Sequence, residues 1–178
     1  ALLAVAEGNP LFLEQLVAHV RETGLLEPPP TLRALLAARL DRLGPGERGV
    51  LERAAVIGRD FAAEEVAELM DEAATPTVRA HLESLTARGF LRVRHAGLRF
   101  RHGLVHDVVY RSSSKELRAE LHERHADVLA RKRADDEDVG YHLERSYLLR
   151  TELGPPDRHA RRLAEDAGRR LGAAGIRA

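Results

Sequence analysis

Residues 91–110, LRVRHAGLRFRHGLVHDVVY, gather the side chains of this chain best suited to chemistry: Arg92, Arg94, Arg99 and Arg101, with His95, His102 and His106. Three uses fit these types. Guanidinium groups grip nucleic-acid phosphates, paired imidazoles hold metals, and a single imidazole can read the phosphate of a bound nucleotide. Leu91 and Val93 alternate with Arg92 and Arg94, and Leu98 and Phe100 alternate with Arg99 and Arg101 across a turn at Ala96-Gly97. That period predicts a β-hairpin with one apolar and one basic face. Side chains two apart share a face, so His102 extends the inward row of Leu98 and Phe100 while the four arginines point the other way.

The arginines, joined by Arg79 and Arg88 on the preceding helix, could contact DNA through phosphates. Against this, Lys+Arg and Asp+Glu both number 28, so no net basic field draws the chain to nucleic acid or an anionic membrane. Glu64, Glu65, Glu68, Asp71, Glu72 and Glu83 lie close by in sequence. The favoured reading is therefore a solvated, partly neutralised hairpin face, with DNA contact as the alternative.

The spacing of His102 and His106 puts two imidazoles on one helix face, as in zinc hydrolases. The catalytic glutamate such a site needs beside the first histidine is replaced by Gly103. The chain has no cysteine, so neither thiolate zinc sites nor disulfides are available and no metal site is expected. His122 and His125 read as an ordinary pair on a charged helix. Ser112, Ser113 and Ser114 fall at a helix start, where serine caps, rather than in a nucleophile constellation. Neither Lys115 nor Lys132 follows a glycine, so there is no phosphate-cradling P-loop. The chain is expected to be non-enzymatic by itself and to need no cofactor alone.

Almost everything that positions these residues reads as helix. Leu13, Leu16, Val17 and Val20 repeat at helical spacing before Gly24, and EPPPT over 27–31 is a stiff link. Thr31 can cap a helix with the stripe Leu32, Leu35, Leu36, Leu40 and Leu43. Pro45 suits the first turn of the next helix, whose apolar face is Val50, Leu51, Ala54 and Ala55. A shorter helix follows Asp60 with Val66, Leu69 and Met70 inward. Thr75-Pro76 opens a third, with Val78, Leu82 and Leu85, ending at Gly89. Three short helices and a hairpin are the order of a winged helix-turn-helix.

After the hairpin, Leu104, Val105, Val108 and Val109 predict a short helix. Ser113 and Glu116 have capping-box spacing and open a long helix through about Arg131. RADDED (133–138) reads as a solvated loop, and two further segments read as an antiparallel helix pair, the start of a helical repeat. The expected fold is mainly α: a helical unit over 1–44, a winged helix with a β-hairpin wing over 45–112, and a helical segment over 113–178. No apolar run is long enough to span a bilayer, and ALLAVAEGNP lacks the basic start of a signal peptide. A cytoplasmic protein without membrane partners, and a piece of a longer chain, is expected.

Taken together, EGNPLFLEQLVAHV (7–20), PPTLRALLAARLDRLGPGERGVLERAAVIGRDF (29–61), LRFRHGLVHDVVY (98–110) and LRAELHERHADVLA (117–130) resemble the C-terminal part of STAND-class signalling ATPases. The nearest pattern is that of bacterial ATPases attached to adenylate cyclase domains or to LuxR-type transcriptional regulators. The resemblance implies a helical lid over 1–44, then the winged helix, then TPR-like repeats beginning at 113–178. It also implies an upstream P-loop ATPase core and further repeats downstream as partners in the same chain, with ATP/ADP as the parent's ligand. The family's G-x-P motif matches Gly8-Asn9-Pro10, and its proline packs on adenine, a role that falls to Pro10. The family's winged-helix histidine, normally within an M-H-D triplet, matches His102 between Arg101 and Gly103, and would touch the ADP β-phosphate. Gly8, Pro10 and His102 are thus the expected nucleotide-binding residues. The implied function is a regulatory piece of a nucleotide-switched ATPase in which ADP bridges lid and wing and favours the closed state.

Overall fold

Helix ends are set by local chemistry at nearly every boundary. Thr31 caps α2 (Leu32–Leu40), its Oγ1 accepting from the Ala34 N–H at 3.1 Å. Such a cap contributes about 1 kcal/mol. Pro45 opens α3 (Pro45–Ile57), and Glu47 reaches back to the Gly44 N–H at 3.2 Å. Gly24, after α1 (Pro10–Thr23), and Gly89, after α5 (Val78–Ala87), both take positive φ. At Gly89 the chain closes a Schellman turn: Phe90 N–H donates to Leu85 O and Gly89 N–H to Thr86 O, each at 3.0 Å.

The computed structural model describes residues 10–24, 31–95 and 97–177. It is mainly helical with one small antiparallel sheet. Between α3 and α5 come strand β1 (Asp60–Phe61), helix α4 (Ala63–Leu69) and a 3-10 turn at Thr75–Thr77. Strands β2 (Leu91–Arg94) and β3 (Gly97–Phe100) follow α5, and the sheet order is β1-β3-β2. This is the helix–strand–helix–helix–hairpin order of a winged helix. The remaining helices are α6 (Gly103–Ser112), α7 (Lys115–Arg131), α8 (Asp136–Thr151) and α9 (Arg158–Arg177).

One core runs from α2 to α6. Leu36 and Leu40 meet Leu51, Val66, Leu82 and Leu85, and the hairpin closes it with Leu91 and Phe100. Phe90, fully buried at the α5–β2 turn, anchors the hairpin's root. A second, smaller core of Ala126, Val139, Leu143, Leu163 and Ala167 holds α7, α8 and α9 together. There Gly140 lets α8 and α9 approach closely: a Cβ built on it would stand 2.8 Å from Leu171 Cγ.

Four sequence expectations need correction. Asp60–Phe61 is a strand paired with β3, in register Asp60↔Arg99 and Phe61↔Leu98, and the next helix starts only at Ala63. Val93 lies opposite Leu98 on the apolar side of the hairpin but is 73% exposed, because the ribbon projects past the core that covers Leu91 and Phe100. The cap of α7 is Ser114, whose Oγ accepts from Leu117 N–H at 3.2 Å, while Ser113 is buried and turned to Val109 O. The solvated loop is shorter than expected. Helix α8 begins within it, with Asp136, Glu137 and Asp138 in the first turn, where the helix dipole favours acids.

Candidate functional site at the junction of helix α1 and the wing

Helix α1 carries both sides of an amphipathic pattern. Leu16 is buried against its neighbours, and Gln15 and His19 are buried with it. Glu14, one residue before the buried row, faces the end of β3. Its two carboxylate oxygens divide between the hairpin's last residues: Arg101 Nε donates to Oε1, and His102 Nε2 donates to Oε2 at 3.1 Å. His102 is itself the N-cap of α6, with extended backbone (φ −138°, ψ 146°), and its carbonyl accepts from Val105 N–H at 3.0 Å.

The ring of His102 is therefore not sunk in the core beneath the wing. It is about a third exposed (32%) and turned to α1. The inward row ends at Phe100, which is 2% exposed, and the chain swings into α6 at the next inward position. A groove of about 500 Å³ runs along the same face of α1, walled by Pro10, Leu13, Glu14, Val17, Arg88 and Arg101. Pro10 and Arg101 thus share one groove, and His102 joins it through Glu14. Gly8 lies outside the described residues.

Beneath this face sits a side chain that sequence reasoning passed over. Arg39 of α2 is fully buried. Its Nε and Nη2 bind Glu22 of α1 at 3.3 and 2.9 Å, Nη1 donates to Gln15 Oε1, and Nη2 also donates to Arg88 O at 2.6 Å. The guanidinium lies 4.7 Å over the Phe90 ring. One residue thereby ties α1, α2 and the winged helix, with Gln15 and Glu22 on α1 and Arg88 and Phe90 at the end of α5. The sequence signal was present: Arg39 falls in phase with Leu35, Leu36 and Leu40 on the buried stripe.

The six arginines considered for DNA do not form one surface. Arg88 pairs with Glu47 at 2.9 Å and belongs to the network above. Arg99 is paired in forked fashion with Asp60 across the β1–β3 ladder, and Arg101 with Glu14. That Arg99 contact, aided by Arg94 and Arg92, holds the Asp60 carboxyl below the usual carboxylate range. Arg79, Arg92 and Arg94 are exposed and have no ion pair among the described residues. Arg79 lines a separate groove with Glu64, Glu83, Val93 and Leu98.

The histidines buried between α7 and α8 are perturbed, two of them strongly. His122 and His125 on α7 and His142 on α8 are all buried. His122 Nδ1 lies 2.8 Å from His142 Nδ1, and its Nε2 lies 2.9 Å from the Tyr110 hydroxyl of α6. Burial, reinforced by His142 and Arg145, pushes His122 down to about 2; burial and His125 push His142 to about 3. Burial also lowers His125. All three are neutral rings in the folded protein at pH 7. The Tyr110 hydroxyl and the two imidazoles thus form a chain of three polar groups, Tyr110–His122–His142. His106, expected only as a partner of His102, instead bonds Ala55 O at 3.0 Å and Asp107 at 3.1 Å. Among the described residues no group of three or more His, Asp or Glu is arranged to hold a metal ion, and no helix is long and apolar enough to cross a membrane. Comparison with known proteins brings no match to the chain, whether a family model, a curated protein or a solved structure.

Proposed function

We propose that this chain is a non-catalytic regulatory part of a nucleotide-switched signalling ATPase of the STAND class, comprising a helical lid, a winged helix acting as an intramolecular clamp, and the first helical repeat. The observation that carries the reading is the divided carboxylate of Glu14, which joins α1 to Arg101 and His102. Two donors from the end of the wing converge on one acid, the arrangement that suits phosphate oxygens as well as a carboxylate. ADP held by an upstream P-loop core would supply such oxygens in place of Glu14, with Pro10 against its base. Hydrogen bonds to charged groups contribute about 1.5–3 kcal/mol each. Because phosphate would replace Glu14 rather than add to it, the closed–open equilibrium would move by the difference between the two contacts. The groove beside Pro10 and Arg101, on the same face of α1, further supports the reading. Partners under this proposal are the ATPase core and later repeats of the same chain, in the cytoplasm.

The test is ADP release from the protein that carries the ATPase core. His102→Ala is expected to speed release and raise basal output, whereas Glu14→Gln, which frees the donors, slows release. Release rates unchanged in both variants would sink the clamp.

One observation favours a second reading. Arg79, Arg92 and Arg94 remain exposed and without ion pairs on the helix and hairpin that winged helices apply to DNA. That reading requires duplex affinity that falls steeply with salt and is lost in Arg92→Ala plus Arg94→Ala. A flat titration at low salt disposes of it.

A further inference from the structure

Helices α6, α7 and α8 meet at a cleft whose lining includes neither Glu14 nor His102, although one of its wall residues, His106, stands one helical turn after His102. Its inner part, about 290 Å³, is walled by Arg59, His106, Tyr110, His122, Tyr141 and Arg145. An outer recess of about 420 Å³ shares Tyr110 and Arg145 with it and adds Asp107, Arg111 and Arg118. The inner volume stands at the lower end of small-molecule pockets, about 300–1,000 Å³. The two parts differ in chemistry, one ring-lined and one cationic.

Rings line the inner part together with Ala55, Val56, Ile57 and Gly58 at the end of α3. His106 and Tyr110 stack at 13° with centroids 6.2 Å apart, Tyr110 meets His122 edge-on at 5.8 Å, and His122 meets Tyr141 edge-on at 6.4 Å. Tyr141 is 50% exposed, an uncovered aromatic face at the cleft's mouth. The outer recess is cationic in excess. Several arginines elsewhere are matched with acids, as at Arg39–Glu22, Arg88–Glu47 and Arg150–Glu123. Arg111, Arg118 and Arg145 have no carboxylate within ion-pair reach among the described residues. Arg118 lies 4.8 Å over Tyr110, and its Nε is buried with no hydrogen-bond partner. The single acid of the recess, Asp107, is already bonded to His106 and lies 3.9 Å from Arg59. Three guanidinium groups beside a ring-lined slot leave charge and donors unmatched.

We infer that the α6–α7–α8 cleft binds a planar aromatic ring bearing an anionic group, of about nucleoside-monophosphate size, with the ring against Tyr141 and His106 and the anion on Arg111, Arg118 and Arg145. Flat walls select a flat ring, and guanidinium forks take either phosphate or carboxylate. This site is independent of the clamp at His102.

The experiment is calorimetric titration at low ionic strength with two probes, adenosine monophosphate and 4-hydroxybenzoate, following the Tyr110 and Tyr141 ring signals by NMR in parallel. At least one probe is expected to bind saturably and shift both tyrosines, and the stronger probe names the anion as phosphate or carboxylate. Adenosine and inorganic phosphate alone are expected to bind about tenfold more weakly than adenosine monophosphate if that is the stronger probe, or benzyl alcohol and acetate than 4-hydroxybenzoate if the carboxylate is. Arg118→Ala and Tyr141→Ala, each at a partly exposed side chain, should weaken the stronger probe by about tenfold, while His102→Ala leaves its binding unchanged. No saturable binding by either probe, an isolated anion binding as tightly as its ring-bearing form, or full affinity in the Arg118→Ala and Tyr141→Ala variants would each overturn the assignment.

Discussion

Two joints hold this molecule together, and they use histidine in opposite ways. At the α1–wing junction His102 is partly exposed and shares a carboxylate with Arg101. At the α7–α8 joint His122, His125 and His142 are buried among rings, with no acid within ion-pair reach of any of them among the described residues. In the first, the imidazole takes an acid partner, Glu14, on a partly exposed face. In the second, charge is expelled because nothing solvates it. The comparison teaches that one joint is built to be exchanged, contact for contact, and the other is built to stay shut near neutrality.

Acid should break the second joint first, and this is the largest effect expected. His122 and His142 have folded-state values far below the ordinary 6.5. The unfolded chain therefore binds more protons than the folded one at any pH between those values. Stability is fully present above about 6.5 and falls as pH drops from there towards about 3, by about 1.4 kcal/mol per pH unit for each ring that stays neutral. At pH 5 the loss is about 2 kcal/mol for one ring and about 4 kcal/mol for the pair. Arg118 and Arg145 face His122 and add to the repulsion, while Glu65, Glu68 and Asp138 near His125 soften it against Lys132. Urea midpoints measured at pH 7 and pH 5 check this. Equal midpoints, or an equal shift in a His122→Phe/His142→Leu double variant, contradict it.

Arg39→Leu strikes the first joint at its buried base. It leaves Glu22 and Gln15 of α1 and the Arg88 carbonyl without their shared donor. Removing one partner of a buried ion pair destabilises by about 3–5 kcal/mol, and Glu22, being partly exposed, places this case at about 3. Hydrogen exchange should rise in α1 and α2 while α8 and α9 stay protected. Uniform loosening of both regions would mean that the two joints are not separate.

Gly140→Val tests the α8–α9 packing next to the second joint by steric means at unchanged pH. Its side chain would enter a space already held by Leu171 and Arg170. Overpacking of this kind destabilises by about 1–3 kcal/mol. Thermal melts report it, and the expected sign reverses only if Leu171 can withdraw fully.

What could be read from the sequence follows from how local each signal is. The α2 stripe, the Thr31 cap, the glycine stops at Gly24 and Gly89 and the hairpin's alternation are short-range patterns, and each is found where expected. β1 is two residues long, too short to alternate, and exists only because β3 offers it a partner. Val93 obeys the pattern of its strand yet lies outside the core, since a period states which face a residue takes but not how far the core extends. Arg39 was visible in phase and overlooked in type, because arginine is seldom buried unless paired, and its partners lie 17 and 24 residues away. The His122–His142 contact joins two helices across 20 residues and depends on their register, which no local pattern specifies. For the candidate site, strand phase placed His102 inward, whereas the ring turns to Glu14, a residue the strand pattern could not indicate.

The smallest expected effect is also the one that separates the two joints most sharply. Glu14→Gln keeps the size of the side chain and removes its charge, so Arg101 and His102 lose a common anion while remaining partly exposed to water. Ion pairs this exposed contribute about 0–1 kcal/mol, because water screens the charges and replaces the lost acceptor. Overall stability should therefore fall by less than about 1 kcal/mol, even though the contact is the one that links α1 to the end of the wing. The structural consequence should instead be local: the His102 ring signals shift and the amides of α1 exchange faster, with the Tyr110–His122–His142 signals unmoved. A loss of several kcal/mol would mean that Glu14 acts as a buried strut like Arg39. A weak contact is what an exchangeable joint requires, since a ligand can displace only what it can outbid.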